Sequence, residues 1–128
     1  MSDEYCDVDL DGATDDGEPV EDLEKVHTTS VDEQKCTQCG GVIPAGVAHM
    51  RLTYRFDGVD NDERVCSPCV EVAKEFSYHG LGGGLWEAMD EEWGNGARVQ
   101  GCINRVTTVA AKALILSKWQ DWKERTKG

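Results

Sequence analysis

The sequence predicts a small α+β fold, and three observations predict it. Two C-x2-C pairs flank a stretch in which apolar and polar residues alternate. Apolar residues then recur at helical spacing through the last third of the chain. Ahead of both, residues 1–33 hold thirteen of the 25 acidic residues and one base, Lys25. The reading is an acidic, mostly disordered arm over 1–33, a compact module over 34–80 and a helical region with a basic end over 81–128.

Charge follows this division. The net charge of −12 resides in the arm, and residues 34–128 balance at twelve acids and twelve bases. The segment 34–97 carries five bases and ten acids, whereas 98–128 carries seven bases and two acids. Such an arm repels nucleic acid at long range, while the basic end attracts it, and the two ends could pair with each other. Apolar residues make up 39% of the chain, so the core must be modest. No apolar run approaches the ~20 residues that a membrane span needs. The first residues, MSDEYCDVDLDG, lack the basic and apolar regions of a secretory signal, which points to the cytoplasm.

In the arm, Tyr5, Val8 and Leu10 stand among acids and could add a short strand or dock on the folded part. CTQCGG reads as a turn with glycine just past Cys39. In VAHMRLTYRF, Ala48, Met50, Leu52, Tyr54 and Phe56 share one face and Val47, His49, Arg51, Thr53 and Arg55 the other, as in a strand with one buried face. DGVDND is a turn signal and ERV a short return strand, giving a hairpin over 47–65. Ser67 can cap a helix, Pro68 suits its first position, and Gly80 ends it at a glycine-rich joint. LWEAMDEEW predicts a short helix over 85–93. From Arg98 to about Glu124 the spacing predicts one long helix, striped by Val99, Cys102, Ile103, Val106, Val109, Ala110, Ala113, Leu114 and Leu116.

Cys36, Cys39, Cys66 and Cys69 form C-x2-C, a gap of 26 residues, then C-x2-C. Two such turns brought together by a hairpin supply the four soft donors of a tetrahedral zinc site. Four thiolates leave no open position for water, so one structural Zn²⁺ is expected, not a catalytic one. The second pair lies at a helix start, where the dipole favours thiolate. Lys35 and Arg64 stand near the ligands and offset the charge. A module under fifty residues cannot rely on its core, and zinc binding supplies folding energy on the order of 10–16 kcal/mol. Disulfides need an oxidising compartment, a redox pair needs a single C-x2-C, and an iron–sulfur cluster is the remaining four-cysteine option. Cys6 and Cys102 read as free thiols, and His27, His49 and His79 as surface residues.

The order of turn-pair, hairpin and helix-start pair resembles the treble-clef zinc fold. The wider layout, with YCDVDLDG, VIPAG, FDG, YHGLGGG and LWEAM around the cysteines, resembles a family of small tailed-bacteriophage proteins. That resemblance implies a phage product in the cytoplasm of a bacterial host, and supplies no activity.

The function expected is an accessory factor that binds a host or phage protein, with inhibition of host machinery or antiviral defence as one such role. Trp119 and Trp122 are candidate contacts, since tryptophan is enriched at interface hot spots. The alternative is a nucleic-acid-binding regulator using His49, Arg51, Arg55, Lys118, Lys123, Arg125 and Lys127. A third reading has the acidic arm imitating nucleic acid. A treble-clef nuclease needs a catalytic histidine pattern, and only His49 lies in the right region, so no enzyme is expected.

Overall fold

A computed structural model describes residues 6–10, 21–79 and 83–127. Tyr5, residues 11–20 and the first part of the glycine-rich joint lie outside the described residues. The architecture is α+β: two small antiparallel sheets and, among the described residues, four helices.

The larger sheet has the order β1 (Glu21–Thr28), β4 (His49–Phe56), β5 (Val59–Cys66). The hairpin β4–β5 turns on Asp57 and Gly58, both at positive φ (53° and 78°). A two-residue turn of this kind matches the twist of the strands and holds tight pairing from its first residues, Phe56 opposite Val59. The return strand is therefore eight residues, not the three of ERV. Its polar start is stabilised across the ladder, where Asp60 pairs with Arg55 and Asp62 with Arg51.

The disordered-arm expectation is corrected over Glu21–Thr28, which is β1. It pairs antiparallel with β4, placing Lys25 opposite Leu52 and His27 opposite Met50. Nearly every side chain in it is exposed. It is held by backbone hydrogen bonds at a charged sheet edge, so it lacks the apolar alternation that announces a half-buried strand. Residues 6–10 dock as the apolar pattern suggests: Val8 and Leu10 are buried. The Leu10 N–H donates to the Phe76 carbonyl at 2.7 Å. Arg105 donates to the Cys6 and Val8 carbonyls and lies over the Phe76 ring. Cys6 and Cys102 are joined by a disulfide rather than free, which corrects the reading of two thiols. A disulfide persists in an oxidising environment, so this pair is at odds with the cytoplasmic location expected from the sequence.

The smaller sheet pairs β2 (Gln34–Lys35) with β3 (Val42–Ile43). Helix α1 (Ser67–Glu75) is capped by Cys66, not Ser67, whose hydroxyl instead donates to the Ala48 carbonyl at 3.0 Å. It ends at Phe76, before Gly80, because Ser77 turns to φ +63°. Helix α2 spans Leu85–Gly94.

The single long helix is two. α3 (Val99–Arg105) stops at Val106 in extended conformation, and α4 (Val109–Thr126) starts afresh behind Thr108. The Thr108 hydroxyl accepts from the Ala111 N–H at 3.1 Å and donates to Glu71 at 2.6 Å. The same carboxylate accepts from the Thr107 and Thr108 N–H groups at 2.6 and 3.2 Å. A side chain from α1 thus supplies the acceptors that the start of α4 needs. The break resets the helical phase: Ala111 and Ile115 are buried, while Val109 is 83% exposed.

Two predictions follow from these ties. The Thr108 hydroxyl, with the Thr107 and Thr108 amides, holds the Glu71 pKa down at about 2, from an ordinary 4.5. A depressed carboxylate stabilises the fold above its ordinary pKa and loses that contribution as pH falls through the folded value. Glu71→Gln should therefore cost about 1–2 kcal/mol at neutral pH in urea denaturation. The gap to the parent should close as pH falls from about 4.5 toward about 2. Separately, Cys6→Ser opens a cross-link spanning 96 residues and should lower stability. A loss of about 2–4 kcal/mol is expected. An unchanged urea midpoint would mean that the bond does not form in solution.

Candidate metal centre

Four cysteines from two turns meet at one point. Cys36 and Cys39 lie in the loop between β2 and β3, and Cys66 and Cys69 at the end of β5 and in the first turn of α1. Their sulfurs all lie within 4.8 Å of one another, and together they could hold a metal ion. Cys36 and Cys69 are buried, and Cys39 and Cys66 are half-buried.

Backbone geometry builds the first turn. Gly40, at φ +76°, returns its N–H to the Cys36 carbonyl at 2.9 Å, and Cys36 N–H donates to the Gly41 carbonyl at 2.8 Å. The Thr37 N–H donates to the Arg64 carbonyl at 2.8 Å, which fastens this turn to β5 and brings the two pairs together.

N–H groups point at the sulfurs. Cys39 and Cys66 donate from the backbone to the Cys36 sulfur, and Gly41 to the Cys39 sulfur, each at 3.4 Å. The Trp86 indole donates to the Cys69 sulfur, also at 3.4 Å. Such donors favour the ionised form that binds metal. Within the cluster, hydrogen bonds from Cys39, Cys66 and Cys69 hold the Cys36 thiol far below its usual range. Cys69 is pushed up by its hydrogen bonds to Cys36, Cys39 and Cys66.

The helices attach to this centre. The Gln38 side chain accepts from the first N–H of α2, Leu85, at 3.0 Å. Lys118 of α4 donates to the Cys39 carbonyl at 3.0 Å. Of the two cations expected to offset the thiolates, Arg64 turns to Ser30, His49 and Asp62. Lys118 supplies positive charge at the turn instead. Trp86 escapes sequence reasoning, because LWEAM marks it only as a helix residue.

The other candidate contacts are not brought together. His49 is buried, which corrects its reading as a surface contact. Its Nε2 faces the Arg64 guanidinium at 3.0 Å and must accept, so Nδ1 donates to the Val47 carbonyl at 2.9 Å. Arg51 binds Asp62 at 2.8 Å, Arg55 binds Asp60 at 3.0 Å and Arg125 binds Asp90 at 3.0 Å. Lys123 lies over the Trp119 ring. Trp119 and Trp122 are half-buried and pack on the core, Trp122 with its ring 6.1 Å from that of Trp93.

No family model, curated protein or solved structure matches this chain.

Cys69→Ser should lose the bound metal and the cooperative urea transition together. Trp86→Phe, which removes the N–H donor and part of a buried ring, should keep the metal and lose about 1–3 kcal/mol. Metal analysis alongside denaturation separates the two, and full metal retention by Cys69→Ser would contradict the site.

Proposed function

We propose that this protein is a structural-zinc accessory protein that works by binding another protein. One Zn²⁺ would be held by Cys36, Cys39, Cys66 and Cys69. The Cys39 and Cys66 sulfurs stand 3.8 Å apart. That is the edge, about 3.8 Å, of a tetrahedron with zinc–sulfur bonds near 2.3 Å. The order of β2–β3 turn, β4–β5 hairpin and α1 supports a treble-clef-like module. Four sulfurs fill a zinc shell, so the ion supplies folding energy and no reactive water.

The observation that carries the binding reading is an open apolar groove beside this centre. Ile43, Val47, Pro68, Ala110 and Leu114 are among its lining residues, and no charged residue lines it. Val42 and Val47, both in its lining, stand exposed. Solvent-facing apolar surface of this kind, rimmed by a charged exterior, suits a protein partner. It replaces the tryptophans as the candidate contact, because those pack inward. The setting implied by the sequence motifs, a phage product acting on a bacterial host protein, belongs to the same proposal. Nucleic acid draws less support: Arg51, Arg55 and Arg125 are neutralised by carboxylates, and His49 is buried.

Val42→Asp with Val47→Asp should keep the metal and the melting temperature while abolishing capture of a partner from bacterial lysate. If every captured protein binds parent and variant alike, this groove is not the binding surface.

A further inference from the structure

A second cavity, of about 450 Å³, opens between the inner face of the three-stranded sheet and α1. It is separate from the groove beside the cysteines, and nothing about it depends on the protein-binding reading. Its apolar lining includes Met50 and Leu52 from β4 and Val70 from α1. Lys25 and His27 from β1 and Lys74 from α1 also line it.

Lys25 and Lys74 bring positive charge to this apolar lining, and neither holds a carboxylate among the described residues. The chain has 25 acidic residues to 13 Lys and Arg. Arg51, Arg55, Arg64, Arg105 and Arg125 each hold a carboxylate. The Lys25, His27 and Lys74 side chains have no hydrogen bond or ion pair among the described residues. Among the described residues no acidic residue lines the cavity, so a rim carrying Lys25 and Lys74 around an apolar interior is the complement of an anion with an apolar body. The strand that brings Lys25 and His27 here, β1, contributes almost no buried side chain. Its alternation places these two residues on the cavity side of the sheet.

We propose that this cavity binds a small organic anion with a flat apolar body, its charged group held by Lys25 and Lys74 and its body lying on Met50, Leu52 and Val70. The volume falls within the ~300–1,000 Å³ of small-molecule sites. The Tyr78 phenol, also in the lining, is held protonated by burial and then by the charges of Glu87 and Glu63. That negative field turns the ligand's charged end away from Tyr78, toward the lysines.

The test uses two fluorescent probes of one shape on the full chain: the anion 8-anilinonaphthalene-1-sulfonate and the uncharged N-phenyl-1-naphthylamine. The anion should bind at one saturable site. Lys25→Glu with Lys74→Glu, two exposed positions that leave the fold intact, should weaken it about tenfold or more. The uncharged probe should change less than about twofold. Ala73→Phe, which narrows the cavity from α1, should weaken both. Displacement of the anionic probe by adenosine monophosphate or by 1-naphthoate tells a phosphate from a carboxylate ligand, and either supports the proposal. Anionic binding that survives the charge reversal, or that neither competitor displaces, overturns it. Because Ala73→Phe is a core-side change, far-UV circular dichroism is read with it. If that variant unfolds, the two lysine substitutions still decide the matter.

Discussion

Four sulfurs converging on one point are the constraint on which the rest of this structure depends. The turn that carries Cys36 and Cys39 has almost no core of its own: β2 and β3 are two residues each, and Ile43 is the buried side chain they share with the centre. Yet Thr37 fastens that turn to β5, Gln38 starts α2 and the Cys39 carbonyl anchors Lys118 of α4. Trp86 closes the same arrangement from α2, donating to Cys69. Helices α2 and α4 and strand β5 thus all tie to this turn and its sulfurs, and a metal held by the four cysteines would make it rigid.

A second set of ties holds the helical side. Glu71 on α1 receives the start of α4, and Arg105 on α3 binds Glu75 while clamping residues 6–10. Both are partly exposed charged groups whose hydrogen bonds satisfy backbone groups at chain ends and breaks. The disulfide from Cys6 to Cys102 closes the same corner. The arginines of the sheet and of α4 take their carboxylates from Asp60, Asp62 and Asp90, not from the acidic arm. Lys25 and Lys74, beside the inner sheet face, are two of the cations without a carboxylate partner among the described residues.

What the sequence shows and what it hides differ by range. The cysteine pairs were legible because metal chemistry demands thiolates at short, fixed spacing, and the β4 alternation because one face of that strand packs on α1. Val8 and Leu10 were legible as apolar residues in an acidic setting. β1 was not, because an edge strand held by its backbone carries no apolar signature. The break at Val106–Thr108 was hidden because the apolar stripe runs on through it in the sequence, and its cause, Glu71, lies 36 residues away from Thr107. The Cys6–Cys102 pairing spans 96 residues and leaves no local trace. His49 reads as a polar-face residue, and only the fold shows Arg64 and the Val47 carbonyl waiting to bury it.

On the proposed reading a metal at the cysteines supports folding, and the apolar groove beside it and the cavity on the inner sheet face are separate surfaces. One suits a protein surface, and the other carries Lys25 and Lys74 at its rim. The structural-zinc reading fails if the cysteines do not bind zinc. The most direct measurement is zinc K-edge X-ray absorption on the purified protein, combined with metal counting. One zinc per chain in a shell of four sulfurs near 2.3 Å is the predicted result. A folded protein with substoichiometric metal, or with nitrogen or oxygen in the shell, would contradict it.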